Sequence, residues 1–277
     1  MENQDYTLAY SPCPNDTFLF YNLIHKELFP FGRVKEELHD VEVLNQSAAS
    51  GKYDFTKLSY FAIFHLLDKY RLLYSGSALG RGCGPLIVKK KGKSTGDLKN
   101  QKILVPGLWT TANLLLHTYL DSRLEPVPVR YDLIMGKILS GEYEYGVIIH
   151  EERFTFEDRG LEKVEDLGDF WEGLTGLPIP LGAIAAKNTL NRDLQISFSS
   201  TLAKSLEMAY ANPGEARSYI IENAQEKDET VVQKHIDLYV NQFTADIGEE
   251  GKRAVETLYD KALSLGLVKT KTKELFI

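Results

Sequence analysis

Cysteine is scarce: among 277 residues there are two, Cys13 and Cys83, far apart and without a CxxC pair. They could close one disulfide, but two reduced thiols are the expectation for a cytoplasmic chain. Six scattered histidines complete a ligand inventory with no HExxH, no paired CxxC and no calcium-loop pattern. No metal site and no cofactor are therefore expected. No apolar stretch approaches the ~18 residues of a membrane span. The opening residues Met1 to Asp5 lack the basic and apolar regions of a secretory leader, and a cytoplasmic location is expected. Long basic runs are also missing. With 32 Lys and Arg against 39 Asp and Glu, the formal net charge is −7. Nucleic acid is excluded as an expected partner, because phosphate contacts dominate that affinity. The compact run Lys89-Lys90-Lys91 with Lys93 reads as a solvated loop or linker. The segment Gly80 to Gly84 lacks both a P-loop Lys-Ser/Thr and a GxGxxG pattern, which argues against nucleotide binding. Repeats and low-complexity segments are not evident.

What is present is an ordinary globular balance, 43% hydrophobic and 26% charged, enough for one large domain or two modest ones. Strand, loop and helix follow one another from Tyr6–Tyr10 through Ser11-Pro12-Cys13-Pro14 into a helix to His25. The pattern returns at Asp54–Leu58 with a helix over Tyr60–Lys69, and at Lys102–Val105 with a helix from Thr110-Thr111 to about Asp121. Val127–Tyr131, a helix to Leu139 and Tyr145–Ile149 continue it. Such alternation predicts parallel sheets covered on both faces. From about Leu190 the chain reads as helical to near Gly266, with Ala245 to Gly251 a loop. Two Gly- and Pro-rich segments, Gly80 to Pro85 and Gly176 to Gly182, read as hinge crossings. The expectation is a two-lobed α/β fold: an outer lobe of residues 1–91 plus 183–277, and an inserted lobe of 92–182.

Ligands of open α/β sheets bind beyond the carboxyl ends of the strands. Three strand–helix junctions lie at such ends and carry Asn15, Ser59 and Thr110. Unpaired N–H groups and the helix dipole favour an anion there, although each residue could simply be an N-cap. An anion held between lobes is the functional reading. His150 ends the apolar run Gly146-Val147-Ile148-Ile149 and should emerge at a cleft mouth, where an imidazole can act as general base; a structural histidine is the alternative. Cys13 reads as a structural thiol with no partner evident, and His65, His117 and His235 as helix residues in packing or surface roles. Trp109 and Arg81 read as cleft-lining or packing residues.

The octet Ser11-Pro12-Cys13-Pro14-Asn15-Asp16-Thr17-Phe18 resembles the opening signature of the 1,4-dihydroxy-6-naphthoate synthase family, in the futalosine route to menaquinone. The likeness runs on through Thr56-Lys57-Leu58-Ser59-Tyr60, Ser77-Ala78-Leu79-Gly80-Arg81-Gly82 and Val105-Pro106-Gly107 with Thr110-Thr111-Ala112. It continues through Ile148-Ile149-His150-Glu151 and Gly176-Leu177-Pro178 to Tyr239-Val240-Asn241 and Gly248-Glu249-Glu250-Gly251. The resemblance implies a type-2 periplasmic-binding-protein-like fold used as a cytoplasmic enzyme. It implies cleavage of cyclic dehypoxanthinylfutalosine to 1,4-dihydroxy-6-naphthoate with release of a three-carbon fragment, and no cofactor. The proton acceptor falls on His150, and the substrate-contacting residues on Lys57, Leu58, Ser59, Thr110 and Thr111. Asn15 is added from its junction. The implied partner is a small-molecule carboxylate. Two other readings share the fold: a non-catalytic small-anion binding protein, and a sister enzyme such as chorismate dehydratase.

Overall fold

A computed structural model describes residues 4–269 and 274–277. Met1 to Asn3, on which the leader reading partly rests, lie outside the described residues.

The chain opens with β1 (Gln4–Tyr10), α1 (Pro14–His25), β2 (Gly32–Leu38), α2 (Val41–Ala48), β3 (Phe55–Ser59) and α3 (Tyr60–His65). β1 pairs in parallel with both β2 and β3, which requires the helices as crossovers. Pro14 suits the first turn of α1, where its missing N–H costs nothing. Asp40 caps α2 by accepting from the N–H groups of Glu42 and Val43. After β4 (Tyr70–Leu72) and β5 (Ala78–Gly80), the chain leaves this sheet.

The second sheet is built from β6 (Leu86–Lys90), β7 (Ile103–Val105), β8 (Val127–Pro128), β9 (Tyr145–Ile148) and β10 (Leu161–Asp166), in the order β10-β6-β9-β7-β8. The helices α4 (Thr111–Leu120), α5 (Ile134–Leu139) and α6 (Leu167–Thr175) connect or flank its strands. β11 (Ile179–Lys187) then returns to the first sheet, whose order is β2-β1-β3-β11-β4 with β5 beside β11. The rest is helical: α7 (Arg192–Ala211), α8 (Arg217–Asn223), α9 (Glu229–Tyr239), α10 (Gln242–Ala245) and α11 (Gly248–Ser264).

Two sheets and a helical C-terminal third agree with the expected fold class, but several details differ. β6, expected in the outer lobe, pairs antiparallel with β9 and β10 of the second sheet. The start of β11, expected in the inserted lobe, pairs with β5 and β3 of the first. The chain therefore changes sheets at Arg81 to Pro85 and at Gly176 to Pro178, several residues before the boundaries drawn at 91 and 182. The glycine-rich segments are themselves the crossings, and the apolar runs after them are sheet interior. β6, β10 and β11 also make both sheets mixed rather than parallel. Gly248 to Gly251, expected as loop, forms the first turn of α11.

Arg81 holds the two crossings side by side: its guanidinium donates to the Gly176 carbonyl at 3.0 Å and pairs with Glu172 and Glu250. Gly84 passes so close to Gly168 that a Cβ would lie 2.2 Å from the Gly168 nitrogen. Packing is dense around both sheets. Phe55 of β3 stacks on Phe198 of α7 at 3.6 Å between ring centres. Trp171 is fully buried, with its indole N–H donating to the Pro178 carbonyl at 3.0 Å. Among the described residues, no helix is long and apolar enough to cross a membrane.

Candidate functional site

The carboxyl ends of β1, β3, β7 and β9 converge where the two sheets face each other. After β1 the chain turns at Ser11 to Cys13, and Cys13, extended at φ −64° and ψ 148°, takes the N-cap position of α1. Asn15 is therefore inside the first turn rather than its cap. Asp16, 1% exposed, is held by four donors: Ser11 Oγ at 2.7 Å, the Ser11 N–H at 3.4 Å, Asn15 Nδ2 at 2.9 Å and Lys57 Nζ at 2.8 Å. Lys57 comes from β3, so a buried ion pair ties the first two junctions together.

Ser59 stands at the N-cap position of α3 but makes no side-chain cap. Asn45 of α2 clamps it instead. Asn45 Oδ1 accepts the Ser59 N–H at 3.0 Å, and Asn45 Nδ2 donates to Ser59 Oγ at 3.1 Å. The Ser59 hydroxyl acts there as acceptor, which leaves its own proton for a ligand. Thr110 is a true cap: its oxygen accepts the Asn113 N–H at 3.3 Å, and its proton goes to the Gly107 carbonyl at 2.8 Å. Thr111 donates to the Leu181 carbonyl at 2.7 Å and accepts from Phe61 N–H at 3.4 Å. Thr111 thus joins the second sheet's α4 to the first sheet's β11 and α3. The stack of Trp109 on His65, 5.4 Å between ring centres, closes the same seam.

His150 follows β9 in a left-handed backbone conformation at φ +58°, a strained position of the kind that collects at functional sites. Its Nδ1 lies 3.1 Å from Cys13 Sγ across the seam. Desolvation by burial lowers the imidazole to about 4, and Lys57 pushes the same way, against Asp16 and Asp40. Burial, reinforced by the Glu151 carboxylate, raises the Cys13 thiol well above its ordinary value. The pair is therefore a thiol beside a neutral imidazole at neutral pH, not a thiolate nucleophile beside an imidazolium.

A second histidine faces this one: the rings of His150 and His235 of α9 are 6.3 Å apart at 85°. His235 Nε2 lies 2.8 Å from Asn15 Oδ1. Since Asn15 Nδ2 donates to Asp16, Oδ1 is the acceptor and His235 carries its proton on Nε2. Burial drives the His235 imidazole well below its ordinary value, which keeps it neutral.

All seven predicted residues, Asn15, Lys57, Leu58, Ser59, Thr110, Thr111 and His150, line one cavity. Val41, Leu44, Pro85, Ile149 and Leu181 give it apolar walls. Two expectations need correction. Cys13, read without a partner, sits against His150; His235, read as packing, lines the cavity. Asp16 and Asn45 were also missed as organisers of the site. Trp109 and Arg81 are not among the lining residues; the first closes the seam and the second fastens the crossings. Both cysteines are free thiols.

A mostly apolar cleft between two sheets, with polar groups converging from strand ends, defines the class of bilobed, periplasmic-binding-protein-like folds. The alkanesulfonate-binding protein of Xanthomonas axonopodis pv. citri, solved with MOPS, superposes with a TM-score of 0.74 at 15% identity over 98% of this chain and 96% of that one. That likeness is one of fold. A solved protein of Archaeoglobus fulgidus is more similar, with a TM-score of 0.90 at 34% identity over 97% of this chain and all of that one. The chain belongs to the menaquinone biosynthesis family, whose model matches residues 6–264. It is 44% identical to the 1,4-dihydroxy-6-naphtoate synthase of Thermus thermophilus over 98% of each chain. To the enzyme of that name from Streptomyces coelicolor it is 39% identical over 94% of each.

Proposed function

We propose that this chain is a 1,4-dihydroxy-6-naphthoate synthase, a cytoplasmic carbon–carbon lyase acting on cyclic dehypoxanthinylfutalosine. The observation that carries the reading is a neutral imidazole, His150, facing a largely apolar cavity in a chain of this family. His150 removes a proton from the cyclic substrate. For that, Nδ1 keeps its proton and donates to Cys13 Sγ, while Nε2 offers its lone pair. Carbon–carbon cleavage then releases the three-carbon fragment, and aromatisation of the remaining ring supplies driving force. The substrate carboxylate is held by the Ser59 hydroxyl and the N–H groups of Thr111 and Ala112 at the start of α4, which have no carbonyl within the helix to bond. Lys57 is neutralised by Asp16 and serves mainly to fix the loop after β1. Contact between the lobes keeps water from the carbanionic intermediate.

Incubation with the cyclic futalosine compound, followed by naphthoate absorbance, tests the assignment. Turnover is expected. Tight binding without turnover would make the chain a binding protein, and turnover of chorismate instead would make it the sister enzyme.

A further inference from the structure

Cys13 Sγ, a ring nitrogen of His150 and a carboxylate oxygen of Glu151 all lie within 4.8 Å of one another. Glu151 is 5% exposed, and its Oε1 has no hydrogen-bond partner among the described residues. A buried carboxylate oxygen without a donor, beside a thiol and an imidazole, is a costly arrangement in the free protein. It is also a ligand set. Thiolate, imidazole and carboxylate together suit zinc and its transition-metal neighbours far better than magnesium or calcium.

We propose that Cys13, His150 and Glu151 form a binding site for one thiophilic divalent cation of the Zn²⁺ class, and that its occupation switches the protein off. Tetrahedral bonds of about 2.3 Å to sulfur and about 2.0–2.1 Å to nitrogen separate the two ligands by roughly 3.5 Å. The pair stands at 3.1 Å, so a small side-chain rotation admits the ion. The thiol proton leaves to water as the thiolate bonds the cation. His150 contributes the Nδ1 lone pair, which moves the ring's proton to Nε2. The fourth position is left to water or a ligand. A ring protonated on Nε2 and metallated on Nδ1 has no lone pair left for a substrate proton. The cation site stands on geometry alone; its inhibitory effect rests on the role proposed for His150.

The test is an anaerobic titration of chelator-treated protein with Co²⁺. One equivalent should bind with a thiolate-to-cobalt charge-transfer band that Zn²⁺ abolishes by displacement and excess Mg²⁺ does not. Cys13→Ser should lose the band, Cys83→Ser should keep it, and Glu151→Gln should weaken Co²⁺ binding at least ~10-fold. Absence of the band in the unaltered protein overturns the site, as does its survival in Cys13→Ser. Should Cys13→Ser fail to fold, Cys13→Ala serves in its place, with the same loss expected and the same survival fatal. Turnover measured in parallel should fall with Zn²⁺ occupancy and return on chelation. A bound cation with undiminished turnover would leave the cation site standing, overturn the switch and remove His150 from the chemistry.

Discussion

As the proposed base, His150 can take a proton only where it is neutral, and its surroundings set that range. Burial holds its imidazole near 4 instead of the ordinary 6.5. Lowering the pH through about 4 protonates the ring and removes the base, so kcat/KM should have its acid limb near 4. A limb near 6.5 would mean that the cavity does not desolvate the ring as described. The two hydroxyls at the helix starts differ in the same concrete way. Ser59 retains a free proton and Thr110 does not. Ser59→Ala should weaken substrate binding ~10- to 150-fold, the loss of a hydrogen bond to a charged group. Thr110→Ala should mainly cost ~1 kcal/mol of stability as a lost cap. Isotherms and melts on both variants separate these outcomes, and equal effects on affinity would contradict the assignment of the protons.

At the scale of elements, the strand–loop–helix units were legible because short apolar, β-prone runs give way to helix-start signals: Ser11-Pro12 and Pro14 after β1, Ser59 at the end of β3, and Pro106-Gly107 with Thr110 after β7. β2 and β10 were not. Both are rich in charge, Gly32–Leu38 and Leu161–Asp166, because an edge strand buries one face at most. The helix expected to Lys69 stops at His65, and the strand expected to Tyr131 is two residues long. The site was legible where a residue sits at or just past a strand's carboxyl end, as Ser59 does at the end of β3 and His150 two residues after β9. It was illegible where partners came from distant elements: no periodicity shows that Asn45 of α2 clamps Ser59, or that His235 of α9 meets Asn15. The Lys57–Asp16 pair, which joins β3 to α1, should behave as a buried pair does when one member is removed. Lys57→Met leaves Asp16 buried and should cost about 3–5 kcal/mol in urea denaturation. A loss below 1 kcal/mol would show the pair to be solvent-screened.

For the whole molecule, the Glu151 and Glu152 carboxyls beside the cleft set an alkaline weakness. Burial raises Glu151 to about 7 and Glu152 to about 8. Both bind protons more tightly folded than unfolded, so their contribution is complete below about 4.5 and is lost as pH rises to about 8. Glu152→Gln should therefore gain stability over the parent as pH climbs through that window, by roughly 1–3 kcal/mol at its upper end. Thermal melts at pH 5 and pH 9 check it, and a gain that shrinks with pH would reverse the sign of the account. The crossings, the Thr111 bonds to Leu181 and Phe61, and the Cys13–His150 contact together hold the two lobes against one another, with the cavity between them.

The most direct test of the central claim is the turnover number of His150→Asn on cyclic dehypoxanthinylfutalosine, measured on protein whose melt matches the parent. The kcat should fall by at least ~10²-fold, the low end of a general-base contribution, with substrate affinity largely retained. A folded variant with kcat near that of the parent would contradict the claim.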